Sequence, residues 1–268
     1  MNSTTVLSLL TALFYVISFL SCVNAADDSN LLQNFNRNEF RMVRDYMDQI
    51  YGENPQNSTH TKWFHTDTDA YGYVAYDARR NNIVIAFRGT KTTINMQHNF
   101  KLDLIPYVLC HSLNACKVHK GFLVTYNTAR KYIFQNFKIF QSLYPTAKIY
   151  VTGYSLGAAQ ADLCAVELSL LGHQVNLMTF GSPRVGNKEF ASFANTNLKG
   201  INYRVSFQND AVTAIPIRAM GYHHLGTEVN FNKKNEIKFE LPKYSDKTFM
   251  FRPYNLFDHM RPNYVGLN

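Results

Sequence analysis

The chain has 268 residues, 46% of them hydrophobic, and a formal net charge of +8. This composition supports a globular protein with a real core and excludes a low-complexity or fibrous chain. The basic residues are scattered rather than clustered with aromatics, which argues against nucleic-acid binding and is compatible with attraction to anionic lipid surfaces.

The first element is a processing signal. Val6 to Leu20 reads "VLSLLTALFYVISFL" and is followed by "SCVNA", with the small residues Val23 and Ala25. An apolar core ahead of a small-residue cleavage site predicts a secretory signal peptide over 1–25, cut after Ala25. The run is short for a spanning helix. Residues 26–268 are expected to form a single domain, because no linker or internal repeat divides them. A secreted protein follows, extracellular or in a secretory or lysosome-like compartment. In such an oxidising setting Cys110 and Cys116, separated by "HSLNA", are expected to pair. Cys164 reads as a buried free thiol. Asn57-Ser58-Thr59 is a sequon for glycosylation at Asn57. No CxxC, HxH or HExxH spacing appears, so no metal site is expected.

Asn36 to Tyr51 carries Phe40, Val43, Met47 and Ile50 at spacings of three and four, which predicts an amphipathic helix. "YGYVAYDARRNNIVIAFRGT" predicts two strands with a turn at Arg80-Asn81-Asn82. Gly121 to Leu143 has no proline and predicts a helix that Pro145 ends. "AKIYVTG" predicts a buried strand, and Leu156, Ala159, Leu163, Val166 and Leu170 a helical stripe. "QVNLMTFGSP", "GNKEFASFANTNL" and "INYRVSFQND" then predict strand, helix and strand. This alternation predicts an α/β fold with a mainly parallel central sheet and helices on both faces. Ligands of such sheets bind at the carboxyl ends of the strands. Here those ends are Gly153–Leu156, Gly181–Arg184 and Asn209–Ala211.

One of these ends has the form of a nucleophile elbow. In Gly153-Tyr154-Ser155-Leu156-Gly157 a serine sits between a buried strand and a helix, flanked by glycines that allow a sharp turn. A nucleophilic serine needs a base and an orienting acid, in the order Ser, Asp or Glu, His for this elbow. Asp210 ends the strand "YRVSFQN" and is the predicted acid; Asp103 and Asp162 are weaker candidates. Of the later histidines, His259 in "LFDHMRPNY" is the predicted base, over His223 and His224. The predicted oxyanion donors are Leu156, by its backbone N–H, and Thr90, at the end of "IVIAFRGT". Thr90 also reads as a turn or cap residue.

Seven blocks in order, "IVIAFRGT", "CKVHKGF", "VTGYSLGAAQADL", "MTFGSPRVGN", "YRVSFQNDAVTAIP", "YHHLGTEV" and "FDHMRPNYVG", resemble the fungal-type class 3 lipases. The resemblance spans about Tyr71 to Gly266. It implies an α/β-hydrolase fold, with Ser155, Asp210 and His259 as triad and Thr90 and Leu156 as oxyanion donors. It treats the "GSPRVG" block with Arg184 as structural. It also implies a secreted lipase of acylglycerols, most directly triacylglycerol, at a lipid–water interface. No cofactor and no obligate protein partner are implied. Two departures concern the family's lid, which falls here on Lys91 to Asn99. Met96 follows Asn95 where the family often has Trp, and the segment is short and polar. A phospholipase A1 or feruloyl-type carboxylesterase would use the same triad. A serine peptidase, or a non-catalytic binding protein on this fold, is the remaining alternative.

Overall fold

A computed structural model describes residues 35–52, 60–90, 102–110, 115–240 and 254–268. The predicted signal peptide, Asn57 and the Lys91 to Asn99 segment lie outside the described residues.

Helix α1 (Arg37–Asp48) begins where the Asn36 side chain accepts from the N–H groups of Asn38 and Glu39, at 3.0 and 3.1 Å. Its stripe of Phe40, Val43 and Met47 is fully buried. Strands β1 (Thr61–His65), β2 (Tyr71–Asp77) and β3 (Asn82–Phe87) form an antiparallel meander. Asn82 pairs with Asp77, so the turn closes one residue earlier than the sequence predicts, with Asn81 at φ 52°. After β4 (Leu104–Pro106) and β5 (Lys117–His119) comes α2 (Lys120–Leu143). It is capped by the His119 ring, which accepts from Phe122 N–H at 3.3 Å. The chain continues through β6 (Lys148–Tyr154), α3 (Leu156–Leu170), β7 (Val175–Phe180), β8 (Gly186–Asn187), α4 (Lys188–Asn197) and β9 (Asn202–Phe207). It ends with β10 (Tyr222–His223), β11 (Thr227–Phe231), β12 (Ile237–Glu240) and α5 (Arg261–Val265).

The main sheet has the order β1-β2-β3-β6-β7-β9-β11-β12. Its middle, from β3 to β11, is parallel, and its edges are antiparallel. Side chains alternate across it as strand geometry requires. On β6, Ile149 and Val151 face the core shared with α2 and α3, while Tyr150 and Tyr154 face the core shared with α1. A second, antiparallel sheet, β10-β8-β5-β4, is absent from the sequence expectation. Strands of two or three residues are too short to show a readable alternation.

Helix α3 also departs from expectation. It is not an amphipathic stripe but is buried all round from Gly157 to Leu168. It packs between β6 and β7 on one side and α2 and α4 on the other. Polar side chains on it therefore need partners. Glu167 accepts from Tyr126 Oη and from Arg130 Nε, each at 2.6 Å. Asp162 accepts from Ser182 Oγ at 3.1 Å. The expected disulfide joins Cys110 to Cys116, and Cys164 is a buried free thiol.

Candidate active site

β6 passes into α3 through one residue. Ser155 adopts φ 58° and ψ −125°, a conformation strained for any residue with a side chain. The turn is so tight that a Cβ on Gly153 would lie 2.4 Å from the Gly157 carbonyl oxygen. A Cβ on Gly157 would lie equally close, 2.4 Å, to the Phe87 carbonyl oxygen. Both flanking glycines are thus required by close backbone approach. The Ser155 N–H donates to Phe180 O at 2.9 Å, which ties the elbow to the end of β7.

Asp210 lies three residues beyond β9, where its N–H donates to Phe207 O at 3.1 Å. His259 ends a four-residue 3-10 turn, Leu256–His259, capped by Asn255, whose side chain accepts from Phe257 N–H at 2.9 Å. The three side chains meet. His259 Nε2 is 2.8 Å from Ser155 Oγ, and His259 Nδ1 is 2.7 Å from Asp210 Oδ2. Each of the three residues is 1% exposed, so these contacts form away from bulk water. The second Asp210 oxygen, Oδ1, accepts from Val212 N–H at 2.7 Å. Tyr264 Oη donates to Oδ2. Burial, and next Asp210, hold the Tyr264 phenol well above its ordinary pKa, so it remains a neutral donor.

The rival residues are engaged elsewhere. His224 is buried with Nε2 2.7 Å from the Thr213 carbonyl oxygen. Burial, then Arg204 and Arg184, push its pKa well below the ordinary histidine value, which keeps it neutral. His223 Nδ1 lies 3.3 Å from Gly221 O. Asp103 is exposed, and Asp162 faces Ser182 from within α3. Arg184 of the "GSPRVG" block is buried and donates to the carbonyls of Ala214 and Pro216, which braces the loop after Asp210.

Leu156 is the first residue of α3, so its N–H has no acceptor within the helix. Thr90 follows β3 and Arg88-Gly89. Its Oγ1 is buried without a hydrogen-bond partner among the described residues. Thr90, His259, Tyr51 and Tyr71 line a cleft of about 500 Å³, with Leu256 and Met260 exposed at its edge. A tetrahedral carbon on Ser155 Oγ would form its oxyanion at the start of α3, where the helix dipole favours negative charge.

The profile of the family described as lipase (class 3) matches residues 84–220, which include the elbow and Asp210. The chain belongs to the class 3 lipases. This class 3 lipase has the α/β-hydrolase fold. It is 37% identical over 163 residues to secreted mono- and diacylglycerol lipase 1 of Fusarium solani, covering 61% of this chain and 48% of that protein. It thus spans about half the length of that relative. Among solved structures, the triacylglyceride lipase of Rhizomucor miehei matches with a TM-score of 0.66 at 27% identity, over 74% of this chain and 77% of that one. The mono- and diacylglycerol lipase from Aspergillus oryzae matches with a TM-score of 0.72 at 26% identity, over 82% and 93%.

Two residues of this candidate site carry no signal in the local sequence. Tyr264 and Asn255 reach Asp210 and the His259 turn only because residues 254–268 pack beside the loop after β9.

Proposed function

We propose that this lipase is a secreted serine ester hydrolase of acylglycerols, with triacylglycerol as its expected substrate at a lipid–water interface. The observation that carries the reading is the line Ser155 Oγ, His259 Nε2, His259 Nδ1, Asp210 Oδ2, with steps of 2.8 and 2.7 Å. Its similarity to a secreted mono- and diacylglycerol lipase and to a triacylglyceride lipase supports the substrate class and the secretion.

In this reading Asp210 accepts the Nδ1–H of His259 and so selects the tautomer whose Nε2 lone pair faces Ser155. His259 takes the Ser155 proton as Oγ attacks the ester carbonyl. The oxyanion is held by the Leu156 N–H and by Thr90. His259 then gives the proton to the leaving glycerol oxygen, which leaves an acyl group on Ser155. Water, activated by the same imidazole, releases the fatty acid and restores the serine.

The test is fatty-acid release from tri-, di- and monooleoylglycerol and from phosphatidylcholine, by wild type and Ser155→Ala. Release from acylglycerols by the wild type alone is the expected result. A wild type that releases nothing from any acylglycerol would sink the lipase reading, and release from phosphatidylcholine alone would move it to a phospholipase.

A further inference from the structure

Tyr154 immediately precedes the nucleophile and is the last residue of β6. It is 5% exposed and belongs to the α1-side core, not to the face on which α3 packs. Its ring lies almost flat on the imidazole of His259, with centroids 5.0 Å apart and planes 16° apart. Its hydroxyl donates to the backbone carbonyl of His259 itself. One side chain therefore grips the base at two points, ring and main chain.

The grip is itself held. Tyr264 meets the Tyr154 ring edge-on at 5.6 Å, and Tyr51 does so at 6.3 Å. Burial, followed by the nearby Asp210, raises the Tyr154 phenol far above its ordinary pKa, so the hydroxyl is a constant donor. The anchored carbonyl of His259 also ends the 3-10 turn, so it has no helical partner and needs a donor from outside.

The consequence is chemical. On taking the Ser155 proton, His259 gains a positive charge. The face of an aromatic ring stacks on the neutral imidazole and attracts the imidazolium more strongly. Tyr154 therefore contributes most in the transition state, where differential binding accelerates the reaction. A serine or leucine before the nucleophile would leave the imidazole ring unsupported on that face.

We propose that Tyr154 is the positioning residue of the general base, holding the His259 ring over Ser155 by stacking and by its hydrogen bond to the His259 carbonyl. The proposal rests on Ser155, His259 and Asp210 acting as the triad.

The test is steady-state kinetics on a soluble monoester, p-nitrophenyl butyrate, with wild type, Tyr154→Phe and Tyr154→Leu, beside melting temperatures and the rate of labelling by a fluorophosphonate. Tyr154→Phe keeps the ring and loses the donor, and kcat should fall about fivefold. Tyr154→Leu loses both, and kcat should fall about thirtyfold. KM should stay within about twofold in both, as expected when an interaction is lost mainly from the transition state. Labelling should slow in step with kcat. Should Tyr154→Leu fail to fold, the Phe variant decides alone: a lower kcat at a wild-type melting temperature supports the proposal. Unchanged kcat in the folded variants, or a loss confined to KM, overturns it. A wild type that neither hydrolyses the ester nor labels would overturn the triad reading, and with it this one.

Discussion

Asn255 pairs with Asp210 in an isolated parallel bridge, four residues ahead of His259. Asn255 N–H donates to Asn209 O at 2.9 Å, and Ala211 N–H donates to Asn255 O at 3.3 Å. Asp258 Oδ2 accepts from Asn209 N–H at 3.2 Å. The loop that carries His259 is thus stitched, backbone to backbone, to the loop that carries Asp210. The distance between His259 and Asp210 is set by this seam as much as by the two side chains. Asn255 adds a cap on the turn of His259. Asn255→Ala keeps the bridge and removes the cap, which is worth about 1 kcal/mol. The expected outcome is a kcat/KM about fivefold lower, by the same energy expressed as a rate. Wild-type kcat/KM in this variant would show that the backbone seam suffices.

Thr90 offers a buried hydroxyl that no described residue satisfies. A polar atom of that kind in the cleft that also holds His259 is explained if its partner is the transition-state oxyanion. Thr90→Val keeps the shape and removes the donor. It should lower kcat about 100-fold with little change in KM. Thr90→Ser should recover most of the loss. Full activity in Thr90→Val would take the hydroxyl out of the oxyanion hole and leave only the backbone N–H.

Asp162 links the buried helix α3 to Ser182, and burial raises its pKa to about 8, against smaller opposing effects of Ser182 and Arg204. An unfolded Asp releases its proton near pH 4, at about its ordinary pKa. Between that point and about 8 the folded protein holds a proton that the unfolded chain has lost. Stability from this group is therefore fully present below the unfolded pKa and is lost as pH rises through the folded one. Melting temperatures taken from pH 5 to pH 8 should fall in the wild type, with a shallower slope in Asp162→Asn. Parallel slopes would show that Asp162 ionises in the folded protein as it does in the open chain.

The Cys110–Cys116 disulfide closes a loop six residues apart in sequence, between two short strands of the smaller sheet. A loop so short restricts the unfolded chain only modestly. The double replacement by alanine should cost about 2 kcal/mol. The readout is a lower denaturant midpoint at an unchanged slope. A midpoint equal to that of the wild type would mean that the native packing around β4 and β5 holds without the link.

Several features of the site were legible in the sequence. The glycines at 153 and 157 announced the elbow, because only residues without a side chain tolerate the backbone approach of 2.4 Å found there. Asp210 was legible from its place at the end of a strand. The pattern of α3 misled, since an apolar spacing of three and four says which face must be buried and not whether the other face is also covered. Gln160, Asp162 and Glu167 lie off that stripe and are buried as well.

The sequence by itself determined the alternation of strands and helices, the elbow at Ser155 and the pairing of Cys110 with Cys116. These follow from local rules: periodicity, turn sterics and short spacing. Only the tertiary structure shows what surrounds the histidine chosen from the sequence and what holds it. His259 meets Ser155 across 104 residues of chain and Asp210 across 49, while His224 is committed to Thr213. Contacts of that kind arise when α5 and the preceding turn close against β9 and α1, so that Tyr154 and Tyr264 reach the base and the acid. No local pattern encodes them, because the partners become neighbours only once the sheet has formed and its two faces are covered.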